Sequence, residues 1–275
     1  MDDMMMMERH NWYNQTAVQF EIVKALQGRE ASFLNPINTE KGYPIRCMKI
    51  HNIAYFSSNA NAFHFFERPY NFYHSIALLK DMPMFSFHPL KRIEQQQEFN
   101  KTFKTYMTGY DLPLDFDVKN KAKVTDAVKE IIILKEELLD EFRIPYTVKS
   151  SGSGFHIEIP SKYLDPVTTD PMEKVKVATT VATNLQAFLS SEFMDLSIYD
   201  ERRVWKTPYS IDVKTGNVAL PLDDEQLELF TYDIVKPSNV IKNNLLRGRG
   251  GLMRNESESG AKNFKKFYTE ITEGW

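Results

Sequence analysis

The chain has 275 residues, 42% of them apolar and 26% charged, with 34 basic against 37 acidic side chains and a net charge of −3. That composition belongs to a globular chain and excludes disordered, collagenous and coiled-coil proteins, and the charge balance excludes one that holds nucleic acid by bulk positive charge. A lone cysteine, Cys47, excludes a disulfide framework and any zinc site needing two or more thiolates, so no structural zinc is expected; it also suits a reducing compartment.

The N-terminal Met1-Asp2-Asp3, followed by Met4 to Met7, has neither the basic region nor the unbroken apolar stretch of a signal peptide. The longest apolar runs, such as Ile131 to Leu134, are far below the roughly 18 residues of a membrane helix. A cytoplasmic chain with no membrane partner is the expectation. Residues 12 to 28 carry Trp12, Val18, Phe20, Ile22, Val23 and Leu26 among polar residues, a helix ended by Gly28. From Arg29 to Phe56, short apolar stretches punctuated by Pro36, Gly42 and Pro44 read as strands and turns. Residues 57 to 110 are aromatic-rich and show no clear period, apart from a solvated helix over Gln95 to Phe103.

Pattern sharpens at Asp111. Leu112, Leu114, Phe116 and Val118 alternate with polar residues, the period of a half-buried strand, with Pro113 near its start or on an edge. Thr125 can cap the helix that follows, whose apolar face runs through Val128, Ile131, Ile132, Lys135, Leu138, Leu139 and Phe142 before Pro145 closes it. After a glycine-serine turn, a strand runs through Phe155, Ile157 and Ile159. A helix from about Met172 to Leu189 then leads to a strand around Met194 to Tyr199. Strand–helix–strand–helix–strand order predicts an α/β or α+β fold with a sheet as scaffold.

Four elements of this region carry chemistry. Asp115 and Asp117 are two apart on a strand, so both project from one face, and two such carboxylates can hold divalent ions for phosphoryl transfer. Hard oxygen ligands suit magnesium or manganese; the same spacing also suits an acidic solvent face. Second, Ser150, Ser151, Gly152, Ser153 and Gly154 form a loop whose backbone N–H groups can bind phosphate, and alternation puts His156 on the aspartate side. The plain alternative is a flexible turn beside an exposed histidine. Third, Asp195 and Asp200 compete as the third acid, and alternation against Met194, Leu196 and Ile198 favours Asp195. Fourth, the run Lys206 to Gly216 reads as a hairpin around Thr215-Gly216-Asn217, with Lys206 and Lys214 supplying positive charge near the carboxylates, or simply standing on the surface.

Together these elements resemble the archaeo-eukaryotic primase superfamily, and within it the catalytic small subunit of archaeal and eukaryotic-type DNA primases. Asp115-Phe116-Asp117, the loop from Ser150 closing on His156, Met194-Asp195, and Pro208-Tyr209-Ser210-Ile211-Asp212-Val213-Lys214-Thr215-Gly216 follow the family order. Upstream, Arg29-Glu30-Ala31-Ser32-Phe33, Arg46 and Phe72 to Ala77 resemble further family segments, so the likeness runs from about residue 29 to about residue 222. One departure stands out: Asp212 occupies the position of the family's hairpin histidine. The loop ahead of His156 also lacks the family's basic residues, for which Lys149 is a candidate substitute.

The resemblance implies an α+β fold, with an RRM-like mixed sheet and flanking helices packed on an N-terminal α/β unit. It implies one catalytic domain over 1–275, divided into an N-terminal unit (1–110), a catalytic unit (111–222) and a basic C-terminal segment (223–275). The implied activity is DNA primase-type nucleotidyl transfer with two Mg²⁺ or Mn²⁺ ions on Asp115, Asp117 and Asp195. Ser150 to Gly154, His156, Lys206, Lys214 and Arg46 would bind the nucleotide, with Glu30 nearby. A primase-polymerase or end-joining polymerase that extends ends with dNTPs is the main alternative. A sugar-nucleotide transferase and a non-catalytic RRM-like nucleic-acid binder are the others. The implied partners are single-stranded DNA, NTPs or dNTPs, and a primase large subunit or replicative helicase. Lys242, Arg247 and Arg249, in a glycine-interleaved basic stretch, are the candidate DNA contacts, and such contacts make binding salt-dependent.

Overall fold

The computed structural model describes residues 11–34, 45–48, 71–83, 89–246 and 253–273. Helix α1 (Thr16–Leu26) buries Val18, Ile22, Val23 and Leu26 at helical spacing, and the chain leaves it through Gly28 at φ 68°. Strands β1 (Ala31–Leu34), β2 (Ile45–Met48) and β3 (Asn71–Ser75) follow, then β4 (Ala77–Leu79), α2 (Pro89–Tyr106) and β5 (Met107–Tyr110). Strand β6 (Leu112–Phe116) leads to α3 (Val124–Leu134), which widens into a π-helical turn over Lys135–Asp140. The chain continues through β7 (Thr147–Ser150), β8 (Phe155–Ile159), α4 (Pro171–Leu189), β9 (Val204–Lys206), α5 (Asp224–Glu228), α6 (Pro237–Lys242) and α7 (Gly260–Glu273).

The strands form three small antiparallel sheets in the orders β2-β1-β3-β9, β4-β5 and β6-β8-β7. Mixed α and β elements around one continuous buried cluster match the expected α+β class. Strand β6 is an edge strand, which is why Pro113, lacking an N–H, is tolerated within it. Its apolar parity, Leu112, Leu114 and Phe116, joins Phe155, Ile157 and Ile159 of β8 in the core, with α4 packed on β6. Asp170 fixes the start of α4, its carboxylate accepting from Met172 and Glu173 N–H just ahead of Pro171. Among the described residues no helix is long and apolar enough to cross a membrane.

Three local expectations are corrected. Thr125 lies inside α3 and does not cap it; instead Asn120 accepts from Ala122 N–H and caps a short 3-10 turn ahead of the helix. The strand expected over Met194 to Tyr199 is a single bridge, Met194 to Phe116, followed by a 3-10 turn over Leu196–Ile198. Asp195 causes the change: its carboxylate accepts from Ser197 N–H at 2.8 Å, a local bond that competes with a ladder. Finally, the glycine-serine segment does not simply precede a strand. It is the turn of a hairpin between β7 and β8.

Candidate active site

The polar parity of the β6-β8-β7 sheet faces β9. Register places Asp115 directly across from His156, and His156 across from Lys149. Trp205 of β9 closes over this row, its ring stacked on His156 at 4.1 Å between centroids and 29° between planes. Lys149 Nζ lies 4.9 Å from the same indole. On one side of the Trp205–His156 pair is a cavity of about 270 Å³. It is lined by Asp115, Asp117, Asp195, His156, Ser151, Ser153, Lys206 and Arg203, with Tyr73, Ile198, Val204 and Trp205. Beyond Lys149 is a second cavity of about 310 Å³, whose wall includes Arg29, His74, Lys149 and Glu158.

Asp195 reaches the first cavity without belonging to a strand. Its N–H donates to the Asp115 carbonyl at 2.9 Å, and Asp117 N–H donates to the Phe193 carbonyl at 2.8 Å, so one bridge pins the segment to the edge of β6. Asp200 does not line the cavity; it is held by Arg203 at 3.0 Å and accepts from Arg202 N–H. The structure thus brings Asp195, and not Asp200, to the cavity, although the strand alternation that favoured Asp195 is absent.

The three carboxylates repel one another. Burial, then Asp195, then Asp117, push the Asp115 carboxyl up to about 7. His156 is driven well below the ordinary histidine range by burial, aided by Lys149, Lys206 and His74, so the ring is neutral. Its Nε2 lies 3.6 Å from Asp115 Oδ1, and its buried Nδ1 has no hydrogen-bond partner among the described residues. Lys206 Nζ bonds the Asp212 carboxylate and donates to the Ser151 carbonyl at 2.7 Å.

The Ser150 to Gly154 loop has a different job from the one its sequence suggests. Ser150 Oγ accepts from Gly152 N–H, Ser151 Oγ from Gly154 N–H, and Ser151 N–H donates to the Gly154 carbonyl. Three of the four N–H groups over 151–154 are thus committed inside the loop and do not form an open phosphate cradle. The glycines allow close packing. A Cβ on Gly154 would run into the Phe116 carbonyl oxygen of the carboxylate strand, and one on Gly152, at φ 92°, would sit 2.7 Å from Asp212 Cβ. Thr215 Oγ1 and Asn217 Nδ2 both donate to the Gly152 carbonyl. The expected turn at Thr215-Gly216-Asn217 is present, with Asp212 N–H on the Asn217 carbonyl and Gly216 at φ 73°.

Other expected residues lie elsewhere. Lys214 stands exposed on the turn, its backbone N–H donating to Asp212 Oδ1. Lys149 is turned toward the second cavity, 3.8 Å from Glu158, and does not replace the missing basic residues of the loop. Glu30 is fully buried against Arg202 at 3.2 Å, away from the carboxylate cavity. Arg46 lies on β2, at the opposite edge of its sheet from β9; its side chain lies outside the described residues. Lys242 is exposed at the end of α6, and Arg247 and Arg249 lie outside the described residues. Sequence reading missed Trp205, Tyr73 and Arg203 as wall residues, because only long-range strand pairing such as Tyr73 to Lys206 brings them there.

No protein-family model matches the chain, and no curated protein sequence matches it. Solved structures do. The polymerase domain of ligase D from Mycobacterium tuberculosis, in complex with DNA, superposes with a TM-score of 0.53 at 13% identity, over 89% of this chain and 92% of that one. The chain has the archaeo-eukaryotic primase fold. The primase-polymerase domain of cyanophage S-2L is more remote, with a TM-score of 0.41 at 13% identity over 80% and 92% of the two chains, a likeness too distant to carry weight.

The donor set fits divalent cations in chemistry and charge: three carboxylates on one small cavity, one of them pushed toward neutrality by burial and then by the other two. Among the described residues no group of three His, Cys, Asp or Glu side chains forms a ready-made metal site. Carboxylates without a counter-charge have every reason to stand apart.

Proposed function

We propose that the chain is a DNA-directed nucleotidyltransferase of primase type, synthesising short RNA or DNA strands on a single-stranded DNA template, with residues 1–275 working as one catalytic unit. The observation that carries this reading is the convergence of Asp115, Asp117 and Asp195 with His156 and Lys206 on one cavity of a fold shared with a polymerase domain. Asp115, Asp117 and Asp195 would hold two Mg²⁺ or Mn²⁺ ions, which when bound lower the pKa of a 3′-hydroxyl and neutralise charge on the α-phosphate. The remaining chemistry belongs to the chain. Strand β6 fixes Asp115 on a rigid backbone, and the bonds on either side of the Met194 bridge fix Asp117, just past the strand end, and Asp195. His156, neutral and immobilised between Asp115 and Trp205, offers an N–H to a phosphate oxygen without adding charge. Lys206 uses two of its three N–H donors on Asp212 and Ser151, leaving one for the triphosphate. Lys242, Arg247 and Arg249 are proposed to contact the template phosphates.

The test is an incubation with single-stranded DNA, NTPs or dNTPs, and Mg²⁺ or Mn²⁺, with and without a primer. Unprimed products from NTPs support the primase. Products only from dNTPs, or only with a primer, move the assignment to a primase-polymerase or end-joining polymerase. No product under any condition, or full activity in Asp115→Ala or Asp117→Ala, overturns the proposal.

A further inference from the structure

The stretch that follows Asp117, Lys119-Asn120-Lys121-Ala122-Lys123, puts three lysines within six residues of a catalytic carboxylate. Lys123 is spent on Glu192 at 2.7 Å. Lys119 and Lys121 are exposed, and neither has a carboxylate partner among the described residues. Neither lysine lines the acidic cavity, although both follow Asp117 closely in the chain.

Lys121 Nζ lies 5.5 Å from the centre of the Tyr232 ring. Tyr232 belongs to the cavity's rim: its hydroxyl donates to the Ser153 carbonyl at 2.8 Å, and Ser153 and Asp117 both line the cavity. Asp117 is close enough for its charge to help burial push the Tyr232 hydroxyl up. The ring is half-exposed, tethered through its hydroxyl and braced edge-on by Phe230 at 5.6 Å. An aromatic ring held in place before any ligand arrives loses little freedom on binding. A tethered ring at the cavity, with Lys121 over it and the exposed Lys119 two residues before, suits a polyanion with flat, stackable groups.

We propose that a single nucleic-acid strand enters the site over a lip made by Lys119, Lys121 and Tyr232, its phosphates against the two lysines and one base on the tyrosine ring. This assignment rests on the nucleotidyltransferase reading above and names the path by which its strand substrate reaches Asp117. It also separates the lip from Lys242, which lies farther along the chain at the end of α6.

The test is fluorescence anisotropy of a labelled oligothymidylate with the full chain in EDTA, across a salt series, so that catalysis plays no part. For K119A/K121A, the slope of log K against log salt should fall by about 1.4, two contacts at about 0.7 each on a single strand. Tyr232→Ala should weaken binding roughly fivefold or more, whereas Tyr232→Phe, which keeps the ring and loses the Ser153 bond, should stay within about twofold of wild type. Circular dichroism of each variant establishes that it is folded. An unchanged salt slope in the double-lysine variant, or wild-type affinity in Tyr232→Ala, overturns the lip while leaving the nucleotidyltransferase reading intact. A wild-type protein that binds no oligonucleotide overturns both.

Discussion

Strand β8 serves two cavities with opposite charge economies. His156 and Glu158 point from the same face, two residues apart. At the Glu158 end, charge is balanced internally. Arg29 bonds Asp111 and lies 3.5 Å from Glu158, and Lys149 lies 3.8 Å from the same glutamate. Burial opposes ionisation of Glu158, but Lys149 and Arg29 outweigh it and hold the carboxyl down at about 2. At the His156 end, three carboxylates share a cavity in which Lys206 is already tied to Asp212 and Arg203 to Asp200. Burial is common to both ends, so burial alone is not what marks a site. An unmatched surplus of one sign is the mark, because it must be matched from outside.

Substitutions at the two ends should therefore differ in kind. Asp115→Ala or Asp117→Ala should cut nucleotidyl transfer by about 10³ or more in a product-formation assay, since metal-borne charge stabilisation is worth several kcal/mol. Arg29→Met should cost about 3–5 kcal/mol in denaturant unfolding, because it strands Asp111 as a buried charge without its cation, while Glu158 keeps Lys149. Saturating Mn²⁺, at about 100 times its Kd, should stabilise the wild type by about 2.7 kcal/mol and leave an Asp115→Ala/Asp117→Ala variant unmoved in a thermal melt. Asp115→Asn should raise Tm by about 2 °C in metal-free buffer, relieving a repulsion worth about 1 kcal/mol. A fall in Tm there would remove the contrast, since the carboxylates would then be balanced after all.

The smallest effect concerns acid. Burial pushes Asp212 up, but Lys206 outweighs it and holds the carboxyl below its ordinary range. The stabilisation from this pair is complete above the unfolded carboxylate value of about 3.9 and is lost as pH falls through the lower folded value. Melts taken from pH 5 downward should thus decline more steeply in wild type than in Asp212→Asn.

The pairing of Asp115 with His156 was legible because β6 and β8 keep strict two-residue alternation, so parity alone assigns faces, whereas Asp117 lies one residue past β6 and is held by Phe193. The same rule misled at Met194 to Tyr199. Apolar residues alternate there too, but the aspartate beside them satisfies its neighbour's N–H and ends pairing after one bridge. Strand β7 escaped notice because Thr147–Ser150 is four residues long and carries Lys149 inward, with nothing local to announce that Trp205 would receive it. The loop glycines were visible, but their reason was not: a clash with Phe116 or Asp212 exists only once distant segments meet. Asp212, seen only as a departure at a histidine position, is the residue that holds Lys206 and closes the turn.

The Trp205–His156 stack has a consequence of its own. Two stacked rings, with Lys149 4.9 Å from the centre of the indole, stand between a compartment in deficit of positive charge and one that is settled. The pair divides the two compartments in space but not in charge: Lys149 helps keep His156 neutral and feels the Asp115 carboxylate. A smaller side chain at 205 would take away the ring packed on His156 and thin the wall between the two cavities.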